Sequence, residues 1–270
     1  MIEDGVLSKH RVVDIECAFW SSFALTEDGL LFGWGDNGNN QVKPGDTSDV
    51  FDPFLMSEDV SELFSLGSSG RHIFFRKKGG EIGFCGHNFE GQLGNGNNFD
   101  ITGIQTLKEL GGIKSSEIKS IFSNYNASFI LTIEGEVFST GKGEYSGFSG
   151  QMLSWTKLEF PEGEKVVDIT CGYEHTLFMT SQGRIFLSGE RKRLGDFLMS
   201  TKGNWPLDLS SSSLNSQFQK SRISVSNHHY LMIFLSNFIQ DTTLTLLSFQ
   251  TSNSKDFLKM TWMTLFLKIL

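Results

Sequence analysis

Cysteine is scarce, with three in 270 residues, at Cys17, Cys85 and Cys171. So few, one of them necessarily unpaired, argue against a disulfide framework. The opening MIEDGVLSKHRVV holds no apolar leader, so a reducing compartment, cytoplasmic or nuclear, is expected. Long apolar runs are missing too. FLKMTWMTLFLKIL, residues 257–270, is 14 residues long with Lys259 and Lys268 inside it, short of the roughly 20 apolar residues that span a bilayer; no membrane partner is expected. Positive charge is in short supply, because 23 Lys and Arg face 31 Asp and Glu. The net charge of −8 divides into −11 over residues 1–219 and +3 over 220–270. Nonspecific nucleic-acid affinity comes from basic surface, so no direct nucleic-acid partner is expected. The two short basic runs, Arg76-Lys77-Lys78 and Arg191-Lys192-Arg193, read as solvated turns.

No catalytic constellation stands out. Glu27, Asp28 and Glu134 lie beside turn glycines, where acidic side chains serve backbone geometry. Cys85 and His87 are two apart, but no second pair stands at zinc-site spacing. GQLGNG, residues 91–96, is not followed by the helix that a dinucleotide loop requires. The doublet His228-His229 would point to opposite faces of a strand. Catalytic residues, cofactor and metal are therefore all expected to be none.

What the chain has in abundance is glycine, 29 residues, and it is periodic. DGLLFGWG, residues 28–35, is too apolar for a loop and too rich in glycine for a helix. It suits a tight turn at Gly29 leading into a short strand. Gly29 is followed six residues later by Gly35, and the interval recurs at Gly80 and Gly86, Gly135 and Gly141, and Gly183 and Gly189. The enclosed segments read GLLFGWG, GEIGFCG, GEVFSTG and GRIFLSG, with Leu31, Ile82, Val137 and Ile185 at one place. Phe32, Phe138 and Phe186 follow, with Gly83 as the exception.

A second strand precedes each turn. SSFALTEDG, HIFFRKKGG, ASFILTIEG and HTLFMTSQG place Ser21, His72, Ala127 and His175 eight residues before the first glycine. VVDIECA at 12–18 and VVDITCG at 166–172 supply a further strand, so each unit reads strand, loop, strand, turn, strand. Gly35, Gly86, Gly141 and Gly189 are separated by 51, 55 and 48 residues, a spacing typical of propellers and solenoids. A degraded fifth unit follows in RISVSNHHYLMIF, with His229 at the place of His175 and Asn237 at that of the turn glycine. The units lie near 10–60, 61–115, 116–162 and 163–215, with a weak one at 216–240 and a non-repeat tail at 241–270.

The strand pair followed by GHNFEGQLGNG, residues 86–96, resembles the repeat of the regulator of chromosome condensation family. Those repeats run from an aliphatic strand and a histidine through a glycine turn and an aromatic strand into a glycine-asparagine-glutamine-leucine-glycine loop. GDNGNNQVKPG in the first unit keeps Asn37 and Gln41 but has Val42 and Lys43 where leucine and glycine belong. The resemblance implies an all-β β-propeller with four clear blades and a degraded fifth; seven blades would need about 350 residues, so either the later residues cover the open blade faces, the ring closes with fewer blades, or the ring is incomplete. It implies a framework role for His72, His175 and His229. It also implies a non-enzymatic protein-protein interaction module with a protein partner. That module would use loops that differ between copies, such as DNGNNQVKPGDTSDVFD and GEYSGFSGQMLSW. The alternative it implies is guanine-nucleotide exchange on a Ran-like small GTPase, the activity of the founding member.

Overall fold

The computed structural model describes residues 5–18, 20–66, 71–189, 207–208, 231–234, 243–248 and 264–266. The chain divides into one unit of Met1–Ser212 and another of Ser213–Leu270. The first unit is a four-blade β-propeller arrangement, each blade a four-stranded antiparallel sheet in sequential order. Blade 1 holds β1 (Val12–Cys17), β2 (Ser21–Thr26), β3 (Leu31–Gly35) and β4 (Val50–Ser57). Blade 2 holds β5 (Val60–Leu63), β6 (His72–Lys77), β7 (Ile82–Gly86) and β8 (Ile101–Leu107), followed by a small hairpin of β9 (Glu109–Leu110) and β10 (Ile113–Lys114). Blade 3 holds β11 (Ile118–Ser123), β12 (Ala127–Thr132), β13 (Val137–Gly141) and β14 (Met152–Leu158). Blade 4 holds β15 (Val166–Cys171), β16 (His175–Thr180), β17 (Ile185–Gly189) and β18 (Leu207–Asp208). In the second unit β19 (Leu231–Phe234), β20 (Thr243–Ser248) and β21 (Thr264–Phe266) form a three-stranded antiparallel sheet. His229, Asn237 and Arg191-Lys192-Arg193 lie outside the described residues.

The fourth strand of each blade is an addition to the three read from the repeat. Residues 50–52 and 152–155, expected as loop, belong to β4 and β14. The reason is positional. An outermost strand has one neighbour, and β4 accommodates Pro53 because it is an edge.

Two backbone devices recur. The turn between the second and third strands closes in every blade with the glycine amide donating to the residue three before it. These bonds are Gly29 to Thr26 and Gly80 to Lys77 at 2.9 Å, Gly135 to Thr132 at 3.0 Å and Gly183 to Thr180 at 2.9 Å. All four glycines hold φ between 75° and 93°, where a side chain is strained. Each first strand also shifts register once, at Val12/Asp14, Val60/Glu62, Ile118/Ser120 and Val166/Asp168. This bulge sharpens the local twist. The freed amides of Ile15 and Ile169 donate to Asp14 and Asp168 carboxylates at 2.9 Å.

The core lies between blades. Phe23, Phe74 and Phe129 share one place in the repeat and are fully buried. Gly83, the missing aromatic, is paired in register with Phe75, whose ring occupies the space a Cβ at Gly83 would need. Blade 1 uses the opposite combination, Ala24 beside Phe32. The volume is conserved while its owner changes strands, which close packing tolerates well. Arg76, expected in a solvated turn, instead crosses to blade 3. It donates to the Ser115 carbonyl at 2.7 Å and the Ile118 carbonyl at 2.8 Å while pairing with Glu62 at 2.8 Å. The run Arg76-Lys77-Lys78 is thus partly a junction.

Candidate functional site

Register decides which segments share an end of each sheet. Ser21 pairs with Gly35, His72 with Gly86, Ala127 with Gly141 and His175 with Gly189. The connections between first and second strands therefore lie beside those between third and fourth, and together they form the loop end. The glycine turns form the opposite end.

The second glycine of each pair is explained at this end. A Cβ on Gly35, Gly86, Gly141 or Gly189 would run into the carbonyl oxygen of Trp20, Arg71, Asn126 or Glu174 respectively. These glycines hold φ of 105°, 103°, 109° and 143°. Three of those carbonyls accept the amide just after the glycine, from Asp36 at 2.9 Å, His87 at 2.8 Å and Lys142 at 2.8 Å. The glycine thus lets two segments of backbone close on one another.

The loops of blades 1 and 2 fold around an asparagine and a glutamine. The fully buried Asn37 accepts the Val42 and Lys43 amides at 2.9 Å, and Asn88 accepts the Leu93 amide at 2.9 Å. Gln41 and Gln92 each accept an amide two residues back at 3.0 Å. Val42 fills in blade 1 the fully buried place of Leu93 in blade 2, so the departure of GDNGNNQVKPG from the repeat leaves this loop's skeleton intact. Blade 3 replaces the loop by one helical turn, α1 (Gly143–Ser146), with Tyr145 and Ser146 buried. The loops of blades 1, 2 and 3 each reach the next blade. Gly45 N–H donates to the Thr102 carbonyl at 3.1 Å, Gly96 N–H to the Leu153 carbonyl at 2.8 Å, and Tyr145 Oη to Glu174 at 3.0 Å. The middles of the expected binding loops are consequently junctions.

His72 and His175 are both buried, His72 at a contact with the next blade. His72 Nε2 shares a 2.8 Å hydrogen bond with the Ser128 hydroxyl of blade 3, and its ring meets Phe74 edge-on. Burial lowers its pKa to about 3, and burial lowers that of His175 as well. Both are held neutral at physiological pH. Burial also raises the Cys85 and Cys171 thiols to about 12, so neither is a reactive thiolate. Among the described residues no group of three His, Cys, Asp or Glu is placed to hold a metal ion. No described helix is long and apolar enough to cross a membrane.

Several aromatic side chains are partly or fully accessible at the loop end. The Arg71 guanidinium lies 4.6 Å over the Tyr125 ring, and Tyr125 lies 4.3 Å from Tyr173, tying blades 2, 3 and 4 together. The Tyr125 amide also donates to the Tyr173 carbonyl at 3.1 Å. Burial, followed by the hydrogen bond with Tyr125, raises the Tyr173 phenol to about 12, so it stays a neutral donor. Glu174 joins through Tyr145, whose ring carries Lys142 Nζ at 4.7 Å. Trp20 is 69% exposed in the same connection of blade 1, and Phe89 and Phe99 are exposed on the loop of blade 2. Trp20, Arg71, Tyr125 and Tyr173 were not singled out from the sequence. Their signal was their place: each stands one or two residues before Ser21, His72, Ala127 or His175.

Comparison with known proteins agrees with this architecture. The family description "Regulator of chromosome condensation (RCC1) repeat" matches residues 12–41. The Ultraviolet-B receptor UVR8 of Arabidopsis thaliana is 29% identical over 171 residues, 62% of this chain and 38% of that protein. The secretion-regulating guanine nucleotide exchange factor of Mus musculus is 29% identical over 176 residues, 63% of this chain and 37% of that protein. The chain therefore spans well under half the length of these curated relatives. The crystal structure of Prp20p from Saccharomyces cerevisiae, a protein described with its binding properties to Gsp1p and histones, matches with a TM-score of 0.61 at 17% identity. That match covers 90% of this chain and 59% of the other. With the repeated glycine pairs, the asparagine-centred loops and the four-stranded blades, these likenesses show a chain of regulator of chromosome condensation repeats folded as β-propeller blades.

Proposed function

We propose that this chain is a non-enzymatic protein-binding module acting in the cytoplasm or nucleus, and that it holds its protein partner at the loop end. The observation that carries this reading is the Arg71, Tyr125 and Tyr173 stack across three blades, with exposed Trp20 in the matching connection of blade 1. Arginine, tyrosine and tryptophan dominate interface energetics: the aromatic rings bury large area with few rotamers to freeze, and the planar arginine fork stacks and donates in a fixed geometry. A stacked arrangement is already ordered before a partner arrives, which lowers the entropic cost of binding. Net charge of −8 supports a protein rather than a nucleic-acid partner.

Exchange on a Ran-like small GTPase is the second reading, favoured by the likeness to the mouse secretion-regulating guanine nucleotide exchange factor. Exchange requires contacts that favour the nucleotide-free state over the bound one, and this chain covers 37% of that relative. The two readings separate in a stopped-flow measurement of fluorescent GDP release from Ran at micromolar chain. Release at the spontaneous rate is expected, and a tenfold acceleration would put exchange first.

A further inference from the structure

The first strands of the four blades form a controlled comparison within one molecule. Val60, Ile118 and Val166 are buried against the preceding blade, but Val12 at the same place in β1 is 39% exposed. Leu63, Ile121 and Ile169 are buried, while Ile15 is 67% exposed. Blade 1 has Leu7, Ala24 and Phe32 clustered over part of this face, leaving the β1 rim bare. The far face of blade 4 is open in the matching way. Leu31, Ile82 and Val137 are fully buried against the following blade, whereas Ile185 at their place is half-buried and its register partner Met179 is exposed.

The two open faces are the two halves of a junction the molecule already makes three times. In that junction Val60 N–H donates to the Gly29 carbonyl and Val166 N–H to the Gly135 carbonyl, both at 2.9 Å. Val12 stands at the donor place and Gly183 at the acceptor place. A Cβ on Gly29 or Gly135 would press on the incoming strand at 3.0 Å, whereas one on Gly183 would meet nothing within 4 Å.

We infer that the chain associates head to tail with a second copy of itself, the β1 face of one copy seated on the blade 4 face of the other. The contact would bury Val12 and Ile15 against Met179 and Ile185, with the Val12 amide donating to the Gly183 carbonyl of the second copy. Such a heterologous contact closes into a ring where the rotation allows.

Sedimentation equilibrium of the full chain, from low micromolar to about 100 micromolar, tests this by mass action. Species of at least twice the 30.2 kDa chain mass are expected. Ile15→Asp and, separately, Met179→Asp should each weaken association at least tenfold, at unchanged circular dichroism. An equimolar mixture of the two variants should regain dimer, because one contact in it joins two unaltered faces. Val12→Glu repeats the test should Ile15→Asp lose its fold. A monomeric wild type at the highest concentration, as would follow if another segment covered these faces, overturns the inference. So does association indifferent to either substitution, or a mixture that regains nothing.

Discussion

The two ends of every blade are built on different rules. At the turn end four copies repeat one hydrogen bond, glycine amide to the carbonyl three residues earlier, within 0.1 Å of each other. At the loop end the glycine beneath the loop is common to all four blades, while the loops range from an asparagine-centred coil in blades 1 and 2 to a helical turn in blade 3. Backbone bonding can be copied from blade to blade without regard to side chains. Side-chain bonding lets each copy diverge once the backbone beneath it is secure. Both ends join neighbouring blades, the turn end by backbone bonds that recur and the loop end by contacts that differ from blade to blade, and the proposed recognition draws on that difference.

The sharpest way to break this contrast is to attack the glycine on which a loop rests. Gly86→Val would drive a β-branched side chain into the Arg71 carbonyl at a φ of 103°. Backbone strain and collision together should cost about 3 kcal/mol or more, read as a lowered denaturation midpoint. An unchanged midpoint would mean that the two segments do not close on one another.

A second effect comes from the buried histidines. The folded-state pKa of His72, about 3, lies below the ordinary 6.5, so the unfolded chain binds the extra proton first. Stability from this residue is full above about pH 6.5 and is lost as pH falls toward 3. The loss reaches ~2 kcal/mol by pH 5, at about 1.4 kcal/mol per pH unit, and His175 adds in the same direction. Melting temperature measured between pH 7 and 5 should fall, and His72→Gln should flatten that slope. An equal slope in the variant would show His72 to be accessible to protons in the folded state.

The smallest stability effect is expected at the turn end where space is open. Gly183→Ala meets nothing within 4 Å, so only the positive φ of 75° opposes it. The cost should be about 1 kcal/mol, well under that of Gly86→Val in the same denaturation series. Equal losses at the two positions would erase the distinction between a strained turn and a collided backbone.

The inner strands and turns were legible because glycine at a positive φ has almost no substitute, so Gly29, Gly80, Gly135 and Gly183 mark the turns directly. The outer strands were not. β4 contains Pro53 and exposes Phe51, features of loops as much as of edges. The role of the loop middles was hidden as well, because Asn37 and Asn88 read as turn formers and only the fold shows them turned inward onto amides. The aromatic stack was least legible. Arg71, Tyr125 and Tyr173 come from three blades, and no local pattern announces that side chains so far apart in sequence share one surface.

Whether the loop end is the binding end can be measured directly by quantitative mass spectrometry of proteins captured from lysate. The comparison is between wild type, the loop-end variant Tyr125→Ala/Tyr173→Ala and the turn-end variant Glu134→Ala/Lys165→Ala. The turn-end change removes an exposed 3.4 Å ion pair, worth well under 1 kcal/mol. The expected result is a set of wild-type partners reduced at least tenfold on the loop-end variant and retained on the turn-end variant, both still folded by circular dichroism. Partners retained without the tyrosines and lost with the turn-end pair would contradict the assignment of recognition to the loop end.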